Sequence, residues 1–425
     1  MKYKIFTLGC KVNEYESEVM ASILDNHGYI KADDPNIVIV NTCTVTNNAD
    51  SKSRKLIRSV RKNYPNAILL VAGCMIQNKK DNLNIDADII IGNMHKTEIV
   101  NYINDFKRKQ IFDVDDIFRA DFENMSLSNF DRTRAYIKIQ DGCDNYCSYC
   151  IIPYVRGHVR CKKRTDVLLE AKALVKSGHK EIVLTGIHTG NYHDGNYSFA
   201  DLLADLVEID GLKRLRISSV EITELNDKVL DVIKNSNILV DHMHIPLQSG
   251  SNSVLKRMNR KYDKEYFIKK IKKIRSIRPN ISITTDVIVG FPSESDEEFL
   301  ESTNTIKKIE FTKLHVFPYS DREGTLASKM PGKVNGNVKK MRVKKLLELS
   351  KELEVKYMNK NINQVLNFIP EIYEDGYLIG HTGNFMLVKA KGSVDLLKNE
   401  VMVKIDKIDY PYVLGEICTY EKLTN

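Results

Sequence analysis

At 425 residues the chain is too long for one hydrophobic core, so two or three domains are expected. With 42% hydrophobic and 28% charged residues and no long biased tract, composition excludes a disordered or fibrous protein, and no apolar run approaches membrane-spanning length. The net charge of +8 is uneven: residues 1–125 balance at zero, 126–360 carry +11 and 361–425 carry −3, so a polyanionic partner is expected to meet the middle of the chain.

The N-terminus, "MKYKIFTLGCKVN", enters a strand-like run at once, without the longer apolar stretch and cleavage site of a signal peptide, which predicts a cytoplasmic location. Strand-like "KIFTLG", helix-like "NEYESEVMASILDNHG" and strand-like "NIVIVNT" set a rhythm. It continues through "DSKSRKLIRSVRKNYP" as helix, "AILLVAG" as strand and "ADIIIGN" as another strand. The fold class read from this is α/β, with an open parallel sheet flanked by helices over 1–122. The rhythm restarts near residue 134 with "RAYIKIQ", "EIVLTG", "RLRISS", "DHMHIPLQ", "SITTDVIVG" and "TKLHVFPY". Six βα units closing partway into a barrel over 130–360 place their chemistry on loops at the carboxyl ends of the strands. A basic helix, "NVKKMRVKKLLELSKELEVKYMNKN", ends this region. Short alternating strands from 361 to 425 then predict a small antiparallel β-barrel.

Eight cysteines in a reducing compartment read as ligands or catalytic groups rather than disulfides. Cys143, Cys147 and Cys150 form a C-x3-C-x2-C run with no fourth ligand, short of the four that close a structural zinc site. An iron–sulfur cubane held by three thiolates keeps one iron open. S-adenosylmethionine can chelate that iron through its amine and carboxylate, so that one electron releases a 5'-deoxyadenosyl radical. A zinc knuckle is the alternative. Cys10, Cys43 and Cys74 each follow a strand of the first region, so three distant thiols are expected to converge on one sheet edge as a second cluster site. Three buried small hydrophobes is the plainer reading.

Later strand ends carry polar groups expected to face the same mouth: Gly186 and His188, Ser219 and Glu221, Gln248, Asp286 and Tyr319. Each is either a ligand contact or a turn or cap residue. Tyr149, within the cysteine run, is grouped with the cofactor-binding set.

The C-x3-C-x2-C loop opening a run of βα units resembles the radical SAM superfamily. With the upstream cysteines and the C-terminal strands, the whole chain resembles the methylthiotransferase family: an N-terminal three-cysteine domain, a radical SAM core and a TRAM module. "TLGCKVNEYES" and "NTCTVTNNADSKSR" resemble the MtaB branch, acting on threonylcarbamoylated adenosine in tRNA, more than the branches acting on isopentenylated adenosine or on a ribosomal protein. One departure is Ser293 in "GFPSESDEEF", where the family pattern leads one to expect glycine.

The resemblance implies a SAM-dependent transferase with two 4Fe-4S clusters and S-adenosylmethionine, which adds a methylthio group at C2 of an adenosine next to the anticodon. Cys143, Cys147 and Cys150 would cleave S-adenosylmethionine, and Cys10, Cys43 and Cys74 would carry the sulfur. The implied partners are a tRNA anticodon stem-loop and an electron donor such as flavodoxin or ferredoxin, with no membrane and no DNA. Arg156 and Arg160 are read as pairing with carboxylate or phosphate or as solvated. "KKMRVKK" and "SKSRKLIRSVRK" are candidate phosphate contacts, joined by Lys389 and Lys391 of the acidic C-terminal module. Cys161 and Cys418 are read as structural. A non-catalytic iron–sulfur tRNA-binding protein is the rival from another class.

Overall fold

The computed structural model describes residues 1–78 and 85–418, so 79–84 of the first region and 419–425 of the last lie outside the described residues. The strand Ile37–Thr42 is buried at all six positions, as a central parallel strand covered on both faces must be. It lies within a six-stranded parallel sheet in the order Ile30–Lys31, Lys2–Thr7, Ile37–Thr42, Ile68–Gly73, Ile89–Ile91, Ile111–Asp113. The two edge strands escape sequence reading because they are two and three residues long and too short to show a period.

The helix Lys11–Asn26 packs two ways. Met20 and Leu24 bury against this sheet, whereas Tyr15 and Val19 belong to the core of the next unit, so one helix seals the seam. Tyr15 also donates its hydroxyl across that seam to Glu170 Oε1, at 2.8 Å.

Six parallel strands follow, Arg134–Lys138, Glu181–Thr185, Arg214–Ile217, His242–His244, Ser282–Val289 and Lys313–Pro318. They form two three-stranded groups joined at Leu215 and Leu239, and among the described residues no pairing closes the first strand onto the last. This is the partial barrel expected. The fourth strand is shorter than the sequence suggests, because after Ile245 N donates to Thr284 O the next ladder donor, Leu247 N, goes to the Thr285 hydroxyl instead of a backbone carbonyl. Ser293 has φ 60°, the left-handed region that glycine enters without strain, and its hydroxyl donates to Pro331 O at 3.2 Å.

The last strands, Val365–Glu374, Tyr377–Thr382, Leu387–Lys391, Val401–Asp409 and Tyr412–Ile417, close into a five-stranded barrel. It is not wholly antiparallel, as Leu387–Lys391 pairs in parallel with Tyr412–Ile417. An odd number of strands cannot alternate direction all the way round a closed ring.

The acidity of this module serves docking. Glu400 pairs with Arg214 at 2.8 Å, and Glu371 with Arg134 at 3.4 Å. Phe385 stacks on His242 and His381 (ring centroids 4.8 and 4.5 Å), with Arg216 and Arg134 over its ring at 4.7 and 5.1 Å. Phe385→Ala is expected to weaken docking by about 2 kcal/mol, seen as faster limited proteolysis at 361–364. An unchanged cleavage rate would mean that docking rests elsewhere.

Candidate functional site

The strand register sets the first group of thiols. Thr7 pairs opposite Asn41 and Thr42 opposite Gly73, so Cys10, Cys43 and Cys74 leave the carboxyl edge of three neighbouring strands. Burial pushes the Cys43 thiol up to about 11, with the Cys74 and Cys10 charges adding to it. Cys10, though exposed at the cavity, is also raised by desolvation from the groups packed around it, again with Cys74 adding. Asn93 donates from Nδ2 to Cys74 Sγ at 3.5 Å and to Val155 O at 2.7 Å.

The second group lies on the loop after Gln140–Asp141. Gly142 has φ +73°, and a Cβ there would meet His158 O at 1.8 Å, so only glycine lets the loop turn this tightly. Cys143 N then donates to Gly157 O, and Cys150 N to Cys147 O. Burial pushes the Cys150 thiol up to about 12, the Cys147 charge adding.

The only described group of His, Cys, Asp and Glu whose ligand atoms all lie within 4.8 Å of one another is His95, Asp113 and Asp115, so neither thiol trio is that tight. A single zinc ion with 2.3 Å bonds would draw tetrahedral sulfurs to about 3.8 Å. The wider spacing, and N–H groups aimed at the sulfurs, suit an iron–sulfur cluster. The raised Cys43 and Cys150 thiols keep their protons at neutral pH when bare, and cluster binding must displace them.

The two trios share a wall. Cys74 packs with Ile151 and Val155, the turn and helix that follow Cys150. Beneath it Arg156, fully buried, donates to Glu16 at 2.6 Å, to Asp141 at 3.0 Å and to Asn13 Oδ1 at 2.9 Å. Arg156 is therefore neither solvated nor free for phosphate: its carboxylates are internal. Arg160 donates to Ile117 O and Arg156 O, which also removes it from the surface.

The polar strand-end residues divide. Gly186, Ser219 and Asp286 line a cavity of about 840 Å³ together with Cys10 and Phe385, between all three units. Glu221 pairs with Arg260, whose Nη1 donates to Cys147 Sγ at 3.3 Å and to the Tyr149 hydroxyl at 3.5 Å. His188 lies 3.9 Å from Cys143 Sγ and pairs with Glu224, so it buttresses the cysteine loop. Gln248 has φ 65° and is held by its backbone, its N donating to Asp286 O and its O accepting from Ile288 N. Tyr319 packs on Phe291 in an apolar cluster with Val254 and Met258, against which Tyr149 of the cysteine loop also packs, and donates to Asp321.

Arg260 is the functional candidate that sequence reading missed. It sits in a loop among other basic residues, and nothing in its spacing signals burial. Cys161 is half-buried beside His193, its thiol pushed up to about 11 by desolvation, and Cys418 Sγ approaches Glu416 O at 3.9 Å. Of the basic runs, Lys52, Lys55 and Arg58 are exposed, but Arg342 of "KKMRVKK" is buried against Glu294, so that run is not one continuous cationic face. Lys389 lies over Tyr377 at 4.6 Å.

Comparison with known proteins agrees with this geometry. The Radical SAM superfamily matches residues 137–306, and "Uncharacterized protein family UPF0004" matches 2–92. Threonylcarbamoyladenosine tRNA methylthiotransferase MtaB of Bacillus subtilis is 43% identical, over 96% of this chain and 95% of its own. The chain belongs to the MtaB family of tRNA methylthiotransferases. The family's cofactors are S-adenosylmethionine and two 4Fe-4S clusters, matching the two trios in number. A more distant relative, the tRNA-2-methylthio-N(6)-dimethylallyladenosine synthase of Clostridium botulinum, is 34% identical over 98% of this chain and 96% of its own. Among solved structures, the radical S-adenosylmethionine methyltransferase TsrM of Kitasatospora setae shares the fold, with TM-score 0.54, 14% identity, and 74% and 72% of the two chains covered. Among the described residues no helix is long and apolar enough to cross a membrane.

Proposed function

We propose that this chain adds a methylthio group to C2 of N6-threonylcarbamoyladenosine next to the anticodon of tRNA. It would take the anticodon stem-loop as its binding element and a cytoplasmic flavodoxin or ferredoxin as electron donor. The observation that carries the reading is the shared wall: two cysteine trios back onto one short helix, Ile152–Arg156, with Cys10 opening into a cavity roomy enough for a modified base.

Cys143, Cys147 and Cys150 would hold the cluster that supplies the electron for cleaving S-adenosylmethionine, and Cys10, Cys43 and Cys74 the one that supplies an iron for sulfur. The C2–H bond of adenine has no acidity for a base to use, so the remaining side chains have positioning work. Arg260 fixes Cys147 and Tyr149 against Glu221, and His188 fixes Cys143. Gly186, Ser219 and Asp286 shape the cavity, where excluding water protects a radical. Gln248 lies outside this lining, in a left-handed turn whose N–H donates to Asp286 O.

Nucleoside mass spectrometry tests the reading. Total tRNA from a strain lacking this protein should lose 2-methylthio-N6-threonylcarbamoyladenosine and accumulate its unthiolated precursor, with restoration by the wild-type gene. Unchanged levels would overturn the substrate, and loss of the isopentenyl counterpart instead would move the chain to the other tRNA branch.

A further inference from the structure

Among the described residues, the cavity between the three units has one Lys or Arg with no partner. Of the lysines and arginines on its wall, Arg216 pairs with Glu181 at 2.6 Å, Lys313 with Glu354 at 2.9 Å and Arg134 with Glu371 at 3.4 Å. Lys11 makes no hydrogen bond or ion pair among the described residues and stays exposed to the cavity. Arg134 and Arg216 face it, with Glu14 as the nearby acid, and Glu14 is itself paired with Arg132 at 3.1 Å. The same wall holds two buried N–H or ring-nitrogen sites without partners, Arg216 Nη1 and His242 Nδ1, in side chains that are about 3–7% exposed. An unpaired ammonium and an orphaned guanidinium N–H, beside a ring nitrogen that donates in one tautomer, describe a receptor for an anion.

We infer that Lys11, backed by Arg216 and His242, reads the carboxylate of the threonylcarbamoyl group and so selects this substrate over an uncharged N6 substituent. The inference rests on the substrate proposed above. Lys11 directly follows Cys10, and C2 and the N6 substituent flank one edge of the purine. A base presenting C2 to the Cys10 side therefore brings its substituent toward Lys11. An isopentenyl group there would leave the ammonium and both orphans unmatched, a penalty that discriminates more strongly than lost apolar contact.

The test compares two anticodon stem-loop RNAs, one carrying N6-threonylcarbamoyladenosine and the other its carboxyl methyl ester, in methylthiolation by the reconstituted full-length protein. The wild type should favour the acid by about 10- to 100-fold in kcat/KM. Lys11→Gln, with wild-type iron content, should bring that ratio to within about threefold of unity, and Lys11→Arg should keep most of it. Equal wild-type turnover of acid and ester would overturn carboxylate recognition and leave the anion to S-adenosylmethionine or a phosphodiester. A ratio that persists in loaded Lys11→Gln would overturn the assignment to Lys11. Should Lys11→Gln fail to load, competition by the free acid and ester nucleosides against the wild type still decides, with equal inhibition overturning the inference. Turnover of neither RNA, beside turnover of an isopentenylated one, would instead reject the substrate reading and this inference with it.

Discussion

Replacing Glu16 with alanine is expected to destabilise the protein by about 3–5 kcal/mol, because it strands the buried Lys96 and leaves Arg156 and Lys138 to share Asp141 alone. The carboxylate is fully buried and takes Arg156 at 2.6 Å, Lys96 at 2.7 Å and Lys138 at 3.1 Å. Burial pushes its pKa up, but Arg156, Lys96 and Lys138 outweigh burial and hold it well below the usual carboxylate range. A depressed carboxyl contributes stability above its unfolded pKa of about 4.3, which is lost as pH falls through the folded value, so the network should hold at neutral pH and fail only in acid. Asp141 stays as a counter-charge for Arg156 and Lys138, but Lys96 keeps only its contacts to Asn93. The same network touches both trios, through Asn13 next to Cys10 and Asp141 just before Cys143. Glu16→Ala should therefore lower soluble yield, melting temperature and iron content together. A variant melting within about 2 °C of the parent would show that water or rearrangement compensates the stranded charges.

What the sequence shows and what it hides divide along physical lines. The helix Lys11–Asn26 is legible from its periodic apolar face, and the strand Ile37–Thr42 from an unbroken β-branched run that is buried throughout. The cysteines are legible because thiols are few and fall at strand ends, where an open sheet gathers its ligands. Arg156 and Arg260 are hidden, since whether a basic side chain is solvated or buried depends on carboxylates 140 and 39 residues away in sequence. Nor does composition reveal that the acidic C-terminal barrel meets Arg134 and Arg214, because net charge does not say which face is covered. Tyr319 is singled out in the sequence by its place at a strand end, but its packing on Phe291 is set by residues distant in sequence and is hidden there.

Cys43→Ala and Cys147→Ala should separate the two halves of the reaction. Cys43 is the right member of its trio to remove. Its neighbours are local, with Ser53 accepting from Cys43 N at 3.2 Å and donating to Cys43 O at 2.9 Å. Cys74, by contrast, packs against Ile151 and Val155, so its loss would disturb the wall behind Cys150 as well. Truncating one thiol costs the fold on the order of 1 kcal/mol, so Cys43→Ala should stay folded. Iron content should fall from about eight toward about four per chain. Reductive cleavage of S-adenosylmethionine should continue, while methylthiolation of tRNA falls by more than about 10³-fold. Cys147→Ala should abolish both, because Arg260 loses the sulfur it donates to and the loop loses a ligand. The informative failure is a folded Cys43→Ala protein that keeps about four irons and cannot cleave S-adenosylmethionine. The trios would then act as one unit across the Ile152–Arg156 helix, and the division between activation and sulfur delivery would be wrong. Methylthiolation surviving in Cys43→Ala would remove that trio from the chemistry altogether.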